Sequence, residues 1–167
     1  SGASVSSILS GAQNVDWQVY RDNGAASNFL QPHDGSANFS FTVGRAFWVI
    51  SRTGVNINRS VTAATLNANQ EVDIPLQSGW NLITNPFLSS IAWSKIQTTN
   101  GTTGSLYSFN GSFSSSTSFD PYAGYYYFNG SPNPPLSVLR VPYASIFGKR
   151  AETTENSPGS WKVNVVL

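Results

Sequence analysis

Apolar and polar residues alternate along this chain in short runs, and the dominant period is two. Trp17-Gln18-Val19-Tyr20 alternates weakly and leads into Asp22-Asn23-Gly24. Asn-Gly supplies the positive-φ positions of a tight hairpin turn. Phe39-Ser40-Phe41-Thr42-Val43 alternates strictly and predicts a strand. Phe47-Trp48-Val49-Ile50 is a four-residue apolar run between Gly44 and Ser51-Arg52-Thr53-Gly54, the pattern of a strand buried on both faces. Val55-Asn56-Ile57 with Val61 gives a weaker strand. Val72 to Leu76 alternates, and Pro75 marks its end or an edge. In the second half, Gly79-Trp80-Asn81-Leu82-Ile83 stops at Asn85-Pro86. Leu106 to Phe109 stops at Asn110-Gly111, and Gly124 to Phe128 at Asn129-Gly130. Leu136 to Leu139 and Trp161 to Leu167 complete the set. Helical signals are confined to Ser89-Ser90, placed to cap one or two turns over Ile91 to Ile96, and to a short turn between Ala144 and Phe147.

Composition agrees with this pattern. The 167 residues are 40% hydrophobic and 13% aromatic but only 10% charged. The polar surface is therefore built from Ser, Thr, Asn, Gln and Gly, whose side chains compete with the helix backbone for hydrogen bonds. The expectation is an all-β fold: a single domain over 1–167, a two-sheet antiparallel β-sandwich with one or two short helical turns. The chain has no cysteine, which excludes a disulfide framework, zinc-thiolate sites and a cysteine nucleophile. The net charge is +1, with no basic stripe, which argues against nucleic acid as a partner. No apolar run approaches the roughly 18 residues of a membrane span. Low charge with much Ser, Thr and Asn suits an exported module, so the expected location is extracellular or at a cell surface.

The halves resemble each other. Val19-Tyr20-Arg21 precedes Asn23-Gly24 and, later, Gly44-Arg45-Ala46-Phe47-Trp48-Val49; Leu106-Tyr107-Ser108 precedes Asn110-Gly111 and, later, Gly124-Tyr125-Tyr126-Tyr127-Phe128-Asn129. The order predicts a duplicated β-unit covering about 13–76 and 77–143, with 144–167 as a loop and final strand. Gly79-Trp80-Asn81-Leu82-Ile83-Thr84-Asn85-Pro86, Trp93 after it, and the glycine-led aromatic strands carry a family resemblance. They are similar to a recurring β-module of large secreted bacterial surface proteins exported with a C-terminal sorting domain. The chain departs from that pattern at Thr84, at Ala46 and Tyr126, each where the family has Gly, and in lacking a Gly-Trp-Asn opening in its first half. The resemblance implies location and modularity, and no reaction.

Catalytic groups are poorly represented. Asp22, Asp34 and Asp120 each adjoin turn residues, which explains them without a carboxylate pair. His33, the one histidine, reads as an exposed loop residue, and no Gly-x-Ser-x-Gly elbow is present. Asp22, Asn23 and Asp34 are oxygen ligands of the type structural calcium takes, though at no recognised spacing. Five Trp and seven Tyr, with many amides, suit sugar recognition by ring stacking. Tyr125 and Tyr126 stand where the first half has Arg45 and Ala46, and a packed position should vary less between copies. The expectation is a non-catalytic accessory module that binds carbohydrate through Tyr125, Tyr126 and Trp93. Its partners would be a polysaccharide or neighbouring domains of the same protein. The alternative is a structural, assembly or adhesion module, self-associating through edge strands.

Overall fold

The structure, a computed structural model, describes residues 2–55, 57, 63–130 and 134–143. The expected strand at Trp161–Leu167 and the turn at 144–147 lie outside the described residues, as does most of the segment around Val61.

The fold is all-β. Among the described residues the strands divide among four hydrogen-bonded groups. A three-stranded sheet holds β1 (Trp17–Asp22) between β2 (Leu30–Pro32) and β3 (Trp48–Ser51). Two ribbons pair β4 (Glu71–Pro75) with β11 (Val138–Pro142), and β6 (Ile91–Ala92) with β9 (Ser118–Phe119). A four-stranded sheet runs β5-β10-β7-β8, from β5 (Gly79–Thr84), β10 (Gly124–Asn129), β7 (Leu106–Phe109) and β8 (Phe113–Ser116). Every pairing between these strands is antiparallel.

β1 lies between its hairpin partner and a later strand, and β7 lies between β8 and β10 in a sheet that adds β5 at its edge. The register sets Tyr20 against Trp48 and Tyr107 against Tyr126. Aligning Tyr20 with Tyr107 therefore matches Trp48 with Tyr126 and Phe47 with Tyr125. That is two residues away from the glycine-anchored match, so on this register Tyr125 and Tyr126 correspond to Phe47 and Trp48 rather than to Arg45 and Ala46.

The main core lies between the four-stranded sheet and the layer formed by α1 (Trp93–Asn100) and the β4–β11 ribbon. It contains Ile74, Ile83, Trp93, Ile96, Leu106, Phe119, Tyr125, Tyr127, Leu139 and Val141. A second core gathers Val5, Leu9, Trp17, Val19 and Phe39 in the first half. At the seam, Ala46 N donates to Leu82 O at 3.3 Å and Thr84 N to Gly44 O at 2.9 Å, joining the first half to the edge of β5.

Several local expectations are corrected. The helix begins at Trp93, after Ala92 in extended geometry and with no side-chain cap, because Ile91-Ala92 is taken by pairing with β9. Gly101, at φ 61°, ends it. Residues 39–43 form no strand: Ala37–Phe39 is a 3-10 turn that drives Phe39 fully into the second core. The Trp48–Ser51 strand is an edge, with Val49 and Ile50 exposed, rather than buried on both faces. Asn23-Gly24 opens a long loop to Leu30, held by Asp22 Oδ1 accepting from Gly24 N at 2.7 Å. Asn110-Gly111 does make a tight connection, with Phe109 opposite Phe113.

Candidate functional site

Register decides what the four-stranded sheet shows to solvent. Phe128 pairs with Trp80, Tyr126 with both Leu82 and Tyr107, and Phe109 with Phe113. Directly paired residues share a face, so Trp80, Leu82, Tyr107, Phe109, Phe113, Tyr126 and Phe128 lie together. Ile83, Leu106, Tyr125 and Tyr127 occupy the opposite face and belong to the core. The sheet is thus apolar on both sides, and one side is open.

Trp48 reaches across from β3 to complete the open face. Its Nε1 donates to the Tyr126 hydroxyl at 2.9 Å, and its ring lies 5.1 Å from Phe109. Trp80 lies 5.1 Å from Phe128 and 6.0 Å from Tyr126; Phe113 lies 4.9 Å from Phe109 and 5.5 Å from Tyr126. The rings meet edge to face, at 62° for Trp80–Phe128 and 84° for Trp48–Phe109, the arrangement favoured by the ring quadrupole. Exposure is 39% for Trp80, 45% for Phe109, 47% for Phe128 and 58% for Phe113, so the face is a corrugated apolar surface wet by solvent. Tyr126, 7% exposed, is its floor. Burial pushes the Tyr126 hydroxyl up to about 12; the nearby Asp22 carboxylate adds to the rise and the Trp48 bond opposes it.

The three residues expected to contact sugar are therefore not a platform, and they are not together. Tyr126 alone belongs to the open face, beneath the exposed rings. Tyr125 is 4% exposed on the core side, with its hydroxyl 3.2 Å from Asp120 Oδ2. Trp93 is 3% exposed, packs on Phe119 and Tyr127, and donates Nε1 to Gly104 O at 2.8 Å. It backs a separate cleft of about 320 Å³ shared with Ser94, Gln97 and Ser115. The rings that do face solvent were missed. Their signal is the second apolar register within single strands: Trp80-x-Leu82, Tyr107-x-Phe109, Tyr126-x-Phe128.

Amide side chains are also used differently from the sugar-binding expectation. Asn81, Asn85, Asn100 and Asn129 are buried. Asn81 binds Gln77 through both its amide atoms and also reaches Gly79 O. Asn85 holds Ser89 O, Phe119 O and Phe87 N. The two asparagines of the Gly-Trp-Asn-Leu-Ile-Thr-Asn-Pro segment are thus braces for irregular backbone. His33 is buried rather than exposed: Nδ1 is 2.9 Å from Gln13 Oε1, and the ring sits between Trp17 and Phe39. Asp34 Oδ1 accepts from Ser36 N and Asn23 Oδ1 from Ala25 N, so the oxygens considered for calcium close turns. Among the described residues no group of three or more His, Asp or Glu gathers, and no helix is long and apolar enough to cross a membrane.

Fold and face together define an all-β chain with an exposed aromatic face on its four-stranded sheet. No family model, no curated protein and no solved structure matches it.

Proposed function

We propose that this chain is a non-catalytic assembly module of an exported protein, docking through the open face of its four-stranded sheet onto an apolar protein surface: a neighbouring domain or a second copy. The observation that carries this is the joined set of exposed rings, Trp80, Phe109, Phe113 and Phe128, around Tyr126. Contiguous apolar surface of this kind marks an interaction site. Three of the four are phenylalanine, which has no polar handle, and the rings are tilted rather than coplanar. A protein surface can interdigitate with such corrugation, whereas a sugar ring needs a flat face with hydrogen-bonding groups beside it. The lack of cysteine, the low charge and the likeness to secreted bacterial surface modules support the exported location.

Carbohydrate binding is the second reading, favoured by Trp80, the largest exposed ring, lying beside Phe128. Sedimentation velocity across a concentration series separates the two, run beside gel electrophoresis through a polysaccharide panel. The expected result is concentration-dependent association, weakened at least tenfold in Phe113→Asp, with no retardation by any polymer. Monomer throughout, with retardation by one polymer that Trp80→Ala abolishes, reverses the assignment in favour of the sugar.

A further inference from the structure

A cavity of about 220 Å³ lies at the seam between the halves, bounded by the end of β1, residues 42–46, the corner at 75–77 and β5. Arg21, half-buried, and Arg45, exposed, line it together with Asp22, Gln77 and Asn81. The cations are unevenly satisfied. Arg45 donates Nη1 to Asn38 O at 3.0 Å. Arg21 Nε is buried with no hydrogen-bond partner, an expensive state for a charged donor. Asp22 does not neutralise the pair by contact: its Oδ1 accepts from Gly24 N at 2.7 Å, and its carboxylate lies toward the Tyr126 hydroxyl. Asp34 feels Arg21 only as its weakest influence and turns its carboxylate to Ser36. Burial, and then the charge of Arg21, hold the Arg45 guanidinium below its ordinary value, so the like charges are felt across the cavity.

We propose that the seam cavity binds one compact oxyanion, a carboxylate or a sulfate group, held between Arg21 and Arg45. A guanidinium presents a planar fork of donors matched to such groups. One anion would bridge the two guanidinium groups and relieve the repulsion between the two cations, with Arg21 turning so that its buried Nε shares the contact. It would also bridge β1 to the 42–46 segment, strengthening a junction otherwise closed by few backbone bonds. The site touches the aromatic face at Asp22 and Leu82, but its two arginines lie outside that face and it does not depend on the role assigned to it.

The test follows the arginine Nε–H resonances of the intact chain during titration with sodium sulfate and, separately, sodium glucuronate, against sodium chloride at matched ionic strength. The expected result is a saturable shift of the Arg21 Nε–H signal with at least one anion. The midpoint rises tenfold or more in Arg45→Gln and stays unchanged in Trp80→Ala. The tighter anion identifies the group bound. Arg45→Gln also removes a repulsion, so its melting temperature without anion should be no lower than wild type, which separates lost binding from lost fold. No saturable shift with either anion, or an unchanged midpoint in Arg45→Gln, overturns the proposal.

Discussion

Asn129 is fully buried at the end of β10. Its amide nitrogen donates to Gln77 O at 2.9 Å and Leu136 O at 2.7 Å, and its oxygen accepts from Leu136 N at 3.0 Å. One side chain thus ties three stretches of chain where the β5–β10 and β4–β11 ladders end. Removing it strands buried backbone groups, each costing about 1–3 kcal/mol. Asn129→Ala should lower the unfolding free energy by roughly 3 kcal/mol in urea titration, while Asn110→Ala, in an exposed turn, should change it little. Tyr126 gives a pH signature of definite sign. Its hydroxyl ionises near 12 when folded and near 10 when unfolded. The unfolded chain therefore loses this proton first as pH rises. The contribution of this group is fully present below pH 10 and is lost as pH rises from 10 through 12. Tyr126→Phe should remove about 1–2 kcal/mol of that alkaline loss, allowing for screening at the wet face. At neutral pH it should cost about 1 kcal/mol for the Trp48 bond. Urea denaturation at pH 8 and at pH 11.5 checks both.

At the scale of elements, the seam rests on Gly44. Its φ is 72°, and a Cβ there would stand 2.4 Å from side-chain atoms of Ile74 in the core. Gly35 has a similar φ of 79° but opens onto free space. Gly44→Ala thus adds steric overlap to backbone strain, and Gly35→Ala adds strain alone. Thermal unfolding should show Gly44→Ala destabilised by about 2–4 kcal/mol and Gly35→Ala by about 1 kcal/mol. The same elements show how far the sequence could be read. Leu106–Phe109 and the Gly124 strand follow from their short aromatic-rich runs and their Asn-Gly ends. Phe39 to Val43 has the stricter alternation, yet its Phe39 and Phe41 are placed by a 3-10 turn and loop packing. Alternation reports only that successive side chains point apart, which an extended loop also achieves. The Ser89-Ser90 cap failed because cross-strand pairing with Phe119 held Ile91 extended.

For the whole molecule, the class was legible and the site was not. Low charge and abundant Ser, Thr and Asn lead to strands whatever their pairing. The site depends on pairing: which face of β10 meets α1, and that Trp48 of the first half lies on Tyr126 of the second. Tyr125 and Tyr126 read as variable positions only where Gly44 is aligned with Gly124. The ladder shifts that alignment by two residues and sets Tyr126 against Trp48. Two separate cores, joined by a seam with its own cavity, then carry one aromatic surface between them.

That arrangement gives the protein a built-in optical reporter. Trp48 and Trp80 stand on the open face, whereas Trp17 and Trp93 are sealed in the two cores. Light emitted by the first pair depends on whether water or another surface lies against β10; light from the second pair does not. An occupant on this face would shield the emission of Trp48 and Trp80 from aqueous quenchers and shift it to the blue, leaving that of Trp17 and Trp93 unchanged.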